Sequence, residues 1–92
     1  MTIQHLINGR SVASATTFET INPATQAVLA EVSAGGTAEI NAAVQAAKDA
    51  FPKWAGLPAT ERAKKIRALG ELLAQHVPEL ANTETQDTGQ VI

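Results

Sequence analysis

Two carboxylates near the end of the sequence have the strongest claim to chemistry. Leu80, Glu84 and Asp87 recur at i, i+4 and i+7, which sets them on one side of a helix. That side starts from an apolar residue and is expected to pack, and a carboxylate removed from water needs a cation or several hydrogen-bond donors. Three readings are open. Glu84 pairs with Arg62, or Asp87 holds a hard metal ion together with backbone carbonyls, or the helix ends in an exposed acidic face. Arg62 poses the matching question. At 100° per residue it lies within about 40° of the centre of an apolar stripe, so it either snorkels from the first turn of its helix or meets an anion.

The remaining candidates read as structure. His5 and His76 are the two histidines; they fall in different elements with no Asp or Cys at ligand spacing. Gly35-Gly36 stands before a helix and so resembles a phosphate cradle, yet neither GxGxxG nor GxxxxGK[ST] accompanies it. A strand-to-helix turn is expected there. Lys64, Lys65 and Arg67 project in different directions on a helix, which makes them a solvated surface.

The elements that position these residues fall into two regimes. Residues 1–36 carry Arg10, Glu19 and Glu31 as their charged side chains, whereas residues 37–92 carry six basic and seven acidic ones. The first regime predicts two short β-hairpins. Ile3 to Ile7 and Arg10 to Ala13 flank Asn8-Gly9, a pair that tolerates the positive φ of a two-residue turn. Phe18 to Ile21 and Ala27 to Val32 flank Asn22-Pro23-Ala24-Thr25, in which proline sets φ at the corner. Three helices are expected next. The first starts at Thr37 as N-cap with Glu39 in its first turn, buries Ile40, Ala43, Val44, Ala47 and Phe51, and stops at Pro52, leaving Phe51 to Trp54 as a connector. The second runs from near Pro58 to about His76 with Ala63, Ile66, Leu69, Gly70, Leu73 and Val77 on one stripe, where Gly70 suggests close backbone approach. Pro78 opens the third, which ends around Gly89.

Composition bounds the function. Of 92 residues 45% are apolar, but eighteen of those are alanine and three residues are aromatic, so the core is thin. A compact chain of this mass buries roughly 8,800 Å² on folding. There is no apolar run of about 18 residues to span a membrane, and Met1 to Arg10 does not have the form of a secretory signal. A cytoplasmic protein is expected. Zero cysteines exclude a disulfide, a thiolate metal site or a cysteine nucleophile within these residues, and a net charge of −2 offers no field for nucleic acid.

One ordered set of motifs is more specific than any of its parts. His5-Leu6-Ile7-Asn8-Gly9, Thr20-Ile21-Asn22-Pro23-Ala24-Thr25, Ala50-Phe51-Pro52-Lys53-Trp54, Glu61-Arg62-Ala63 and Glu84-Thr85-Gln86-Asp87-Thr88-Gly89 resemble, in order and spacing, the N-terminal segment of the NAD(P)-dependent aldehyde dehydrogenases, particularly the semialdehyde and betaine-aldehyde branches. The resemblance covers essentially the whole chain. It implies an α+β fragment, two hairpins followed by three helices, that forms the N-terminal portion of the α/β fold of that family. It also implies a structural sodium or potassium ion whose ligands here would be Thr20 and Ile21, through backbone carbonyls, and Asp87. A further ligand comes from later in the family's chain.

The family's chemistry requires a cysteine thiolate that attacks the aldehyde, an asparagine in the oxyanion hole, a glutamate base for the deacylating water and a domain for NAD or NADP. None lies in these residues, so the 92-residue chain alone is expected to be inactive. Its implied partners are the rest of the dehydrogenase chain and, in the complete enzyme, the other subunits of a homodimer or homotetramer and a small aldehyde. Two departures from the family pattern stand out: Gly89-Gln90-Val91-Ile92 replaces Gly-Lys-Pro-Ile, and Pro58 replaces a capping serine before Glu61. The competing reading from a different class is a truncated, non-catalytic α+β interaction module that binds a partner through exposed helix faces.

Overall fold

The computed structural model describes residues 1–91; Ile92, the last of the Gly89–Ile92 departure, lies outside them. Five strands, β1 (Thr2–Ile3), β2 (His5–Ile7), β3 (Arg10–Val12), β4 (Thr17–Ile21) and β5 (Val28–Ser33), precede three helices, α1 (Thr37–Ala55), α2 (Ala59–Gln75) and α3 (Val77–Thr88). Both expected hairpins are present. Asn8 and Gly9 take φ of 53° and 73°, the left-handed pair that a two-residue hairpin requires, and β2 and β3 pair in register from Ile7↔Arg10 to His5↔Val12. In the second hairpin the Asn22 side chain builds the corner: its Oδ1 accepts from the Ala24 and Thr25 N–H groups at 2.9 and 3.2 Å, and Gln26 closes the turn at φ 64°.

The first strand differs from expectation. The run Ile3 to Ile7 divides at Gln4: Thr2 and Ile3 pair in parallel with Glu31 and Val32 of β5, making a three-stranded sheet in the order β1-β5-β4, while the rest of the run pairs with β3. Alternation marks which side chains share a face but is silent on which strand lies alongside. β4 and β5 are antiparallel with a bulge at Leu29, between the pairs Thr20↔Ala30 and Ile21↔Val28.

α1 also runs further than its proline suggests. Pro52 lies inside the helix, which continues to Ala55, so Phe51 to Trp54 is helical rather than a connector. One lost backbone bond so close to the helix end leaves an accessible carbonyl for water to satisfy, and the Gly56 N–H still reaches the Pro52 carbonyl at 2.9 Å. Its N-cap is Gly36, not Thr37. The Glu39 carboxylate accepts from the Gly36 N–H at 3.0 Å; a bond from its own backbone N–H and then this one hold Glu39 below its ordinary 4.5, against a small opposing desolvation, and the nearby His5 adds a smaller push downward.

His76 ends α2 and starts α3 at φ −109° and ψ 12°, so the two helices meet at a single non-helical residue, and its Nδ1 sits 3.1 Å from Glu79 Oε2. α3 finishes at Gly89 with φ 79°, whose N–H donates to the Thr85 carbonyl at 2.9 Å. A Cβ on Gly89 would lie 3.2 Å from Pro23 Cγ. The helix end thus rests on the corner of the second hairpin.

Very little is buried. Ala30 and Ser33 are the buried residues among those described, no helix buries a side chain, and the surface is 7292 Å², where a compact chain of this mass exposes about 5,100 Å². The radius of gyration is 16.8 Å, against about 12 Å for a compact domain of this length. The expected packing of the helix stripes is therefore absent within these residues; α1 touches β2, and the other helices stand nearly free. Gly70 follows suit, with nothing within 4 Å of the place its Cβ would take, so close approach there is not found.

Two expected outcomes follow from the caps. Because the Glu39 pKa is depressed in the folded chain, its contribution to stability is complete above about pH 4.5 and is lost as pH falls through the folded value. Unfolding midpoints measured against pH for the native protein and Glu39→Gln should differ by a constant amount near neutrality and converge in acid. Gly89→Ala should destabilise the protein by about 1–2 kcal/mol in urea unfolding, since alanine disfavours positive φ and its methyl would press on Pro23.

Candidate functional site

Where Gly89 approaches Pro23, α3 and the three-stranded sheet together line an open cavity of about 550 Å³. Sheet residues Ile3, Leu29, Ala30 and Val32 and helix residue Leu80 give it apolar walls, and Thr20, Thr83, Glu84, Asp87 and Thr88 give it oxygen atoms. Leu29 and Ala30 are sequence neighbours that would point to opposite faces of a regular strand. Both line the cavity because the bulge turns the backbone between them.

α3 lines this space with Glu84 and Asp87, while two of its threonines bond back to the helix. The Thr83 and Thr88 hydroxyls donate to the Glu79 and Glu84 carbonyls at 3.0 and 2.8 Å, a bond pattern open to threonine within a helix. Glu84 and Asp87 make no side-chain hydrogen bond among the described residues. The expected face of Leu80, Glu84 and Asp87 therefore exists and lines a cavity, but it is open to water rather than packed: all three residues are exposed.

The sequence-derived candidates separate in the fold. Thr20 is half-buried on β4 and lines the cavity together with Asp87. Ile21 follows Thr20 at the bulge, its side chain 49% exposed and outside the lining. Arg62 does not meet Glu84. Among the described residues Lys64 pairs with Glu61 at 3.4 Å and His76 Nδ1 lies 3.1 Å from Glu79, while Arg62 lies on α2 and is not part of the cavity lining. The Gly35-Gly36 turn offers no anion cradle, because the Gly36 N–H is taken by Glu39.

Sequence reasoning missed Leu29 and the seat of Gly89 on Pro23. The first had no signal, since the bulge follows from how two strands close around the Asn22 corner. The second had half a signal: a glycine after the last helical turn announces positive φ, but not what its bare Cα approaches.

A family description of the aldehyde dehydrogenases matches residues 10–92. The chain is 59% identical over 87 residues to 5-carboxymethyl-2-hydroxymuconate semialdehyde dehydrogenase of Escherichia coli, covering 95% of this chain and 19% of that protein. It is 32% identical over 92 residues to 2-aminomuconic semialdehyde dehydrogenase of Danio rerio, again 19% of that protein. Among solved structures, a mutant aldehyde dehydrogenase from Bacillus cereus superposes with a TM-score of 0.91 at 43% identity over 97% of this chain and 19% of its own. A protein described as methylmalonate-semialdehyde dehydrogenase from Sinorhizobium meliloti, solved with NAD, gives 0.86 at 34% identity over 94% of this chain and 18% of its own. The chain thus spans about a fifth of the length of the relatives it matches. With the ordered motifs, the fold and the family match in agreement, the chain belongs to the aldehyde dehydrogenase family.

Proposed function

We propose that residues 1–92 are the N-terminal portion of an NAD(P)-dependent aldehyde dehydrogenase, strands to residue 36 and helices from 37, that oxidises an aldehyde or semialdehyde to the carboxylic acid. The observation that carries this is the match of residues 10–92 to the family together with 59% identity to a semialdehyde dehydrogenase of which the chain spans 19%. No helix among the described residues is long and apolar enough to cross a membrane, which fits a cytoplasmic enzyme. The residues here contribute scaffold. The sheet and α3 shape the wall of a cavity, and the uncovered helix stripes await the rest of the chain and, in the assembled dimer or tetramer, its neighbours.

The same reading assigns Thr20, Ile21 and Asp87 to a structural sodium or potassium ion, two through backbone carbonyls and one through its carboxylate. The donor set fits. The cavity shared by Thr20 and Asp87 is lined by oxygen-bearing side chains and by no lysine or arginine, as a hard cation prefers. Among the described residues no group of three His, Cys, Asp or Glu could hold a metal ion; the proposed ligands are instead two carbonyls and one carboxylate. Bound there, the ion would tie the end of α3 to the corner of the second hairpin.

The intact mass of the natural gene product, followed by its assay, tests the main reading. A protein several times larger than 9.6 kDa that forms NADH or NADPH only with an aldehyde present is the expected result, with no turnover from the purified 92 residues; a natural product of 9.6 kDa would overturn it. For the ion, potassium or sodium should raise the melting temperature of the complete protein, with about 2.7 kcal/mol of stabilisation at a hundredfold excess over Kd. Asp87→Ala should abolish that response, and a variant that keeps it would remove Asp87 from the site.

A further inference from the structure

The tip of the first hairpin sets an amide side chain beside the backbone nitrogen of a glycine. Asn8 and Gly9 are both exposed. Their turn has two residues, so the ladder bonds nearest to it belong to Ile7 and Arg10, and no turn or loop hydrogen bond among the described residues engages the Gly9 N–H. Nothing lies within 4 Å of the place a Gly9 Cβ would take. Glycine moves between positive and negative φ at little cost, and a hairpin of three residue pairs opens at its end more readily than a helix interior. The other asparagines lack this combination. Asn22 precedes Pro23, which has no N–H. Asn41 and Asn82 lie within α1 and α3, where the next N–H is bonded to the carbonyl four residues earlier.

We propose that Asn8 is a site of self-modification, at which the chain turns asparagine into aspartate and isoaspartate without an enzyme. Base removes the Gly9 amide proton, and the nitrogen attacks Asn8 Cγ. The new N–Cγ bond closes a succinimide ring while the Cγ–Nδ2 bond breaks, its nitrogen leaving as ammonia with a proton returned by solvent. Water then adds to one of the ring's two carbonyl carbons. Cleavage of the N–Cγ bond leaves aspartate; cleavage of the bond from nitrogen to the Asn8 backbone carbonyl carbon leaves isoaspartate, whose main chain runs through Cβ and Cγ. The sum is amide plus water giving carboxylate and ammonium, with no oxidant or reductant. The two products act differently on the fold. Aspartate suits the same turn and adds a negative charge beside α1, because Asn8 and Gly9 line a cavity with Ala43, Ala46, Ala47 and Ala50. Isoaspartate lengthens the backbone inside the turn, so Ile7 and Arg10 lose their register, and the contact of β2 with α1 loosens with it.

Peptide mapping of the complete gene product, incubated in mildly alkaline buffer at body temperature, tests the proposal. The tryptic peptide ending at Arg10 should gain the mass of an amide-to-acid conversion, localised to Asn8 by fragmentation, and divide on chromatography into an aspartate and an isoaspartate form. The peptides holding Asn22, Asn41 and Asn82 should stay unchanged over the same period. Isoaspartate is the decisive product, since direct hydrolysis of the side chain gives aspartate alone. Gly9→Ala should slow the conversion several-fold; because alanine is strained at φ 73°, the native sequence incubated in denaturant supplies a second reference that needs no variant. An Asn8 that stays intact in the native protein while converting in the unfolded chain would overturn the proposal. So would aspartate without isoaspartate, or a rate no greater than that of Asn41. These readouts are chemical and local, so they stand or fall apart from the dehydrogenase reading.

Discussion

These residues cannot close a core upon themselves, and most of what the structure shows follows from that constraint. Eighteen alanines and three aromatics leave helices whose apolar stripes are too shallow to grip one another. The chain spreads to 48 × 33 × 17 Å with Ile66, Leu69 and Leu73 at least half exposed. Apolar surface of that extent on an isolated domain marks an interface. Under the function proposed above, that cover is the rest of a longer polypeptide, and low burial is what a part of a larger fold would show.

Against that openness, one contact organises the sheet end of the molecule. Gly89 holds positive φ and rests where a Cβ would press on Pro23, so a single glycine both ends α3 and lets it approach the hairpin corner. The Asn22 side chain stiffens that corner by accepting two backbone N–H groups. Together they bring Asp87, near the chain's end, to the cavity that Thr20 lines. Residues 67 positions apart in sequence become neighbours of one space through two short-range devices, a left-handed cap and an Asx-type turn.

In the proposed dehydrogenase the contribution of these residues is positional. It has no cysteine and so no thiolate nucleophile of its own. What it offers is a sheet, three helices, uncovered apolar surface, and a cavity lined in part by oxygen-bearing side chains, where the proposal above places an ion. The capping of α1 by Glu39 belongs to the same description: it secures the direction in which the first helix leaves the sheet.

Much of this was legible in the sequence because it is local. Asn8-Gly9 determined a hairpin, Asn22-Pro23 a corner and Gly89 a helix end, since each depends on backbone conformations that few residues adopt. The face shared by Glu84 and Asp87 followed from helical spacing alone, and the ordered motifs were enough to indicate the family. Where several local rules competed, the sequence misled: Pro52 reads as a stop, yet near an exposed helix end its missing bond is cheap, and Gly36 took the cap from Thr37 because the Glu39 carboxylate could satisfy its N–H. Only the tertiary structure decided that β1 leaves β2 at Gln4 to pair with β5, that Leu29 bulges into the cavity, that Gly89 rests on Pro23, and that Arg62 and Glu84 stay apart. These are distances between residues far apart along the chain, and no periodicity within one segment encodes the partner that another segment presents.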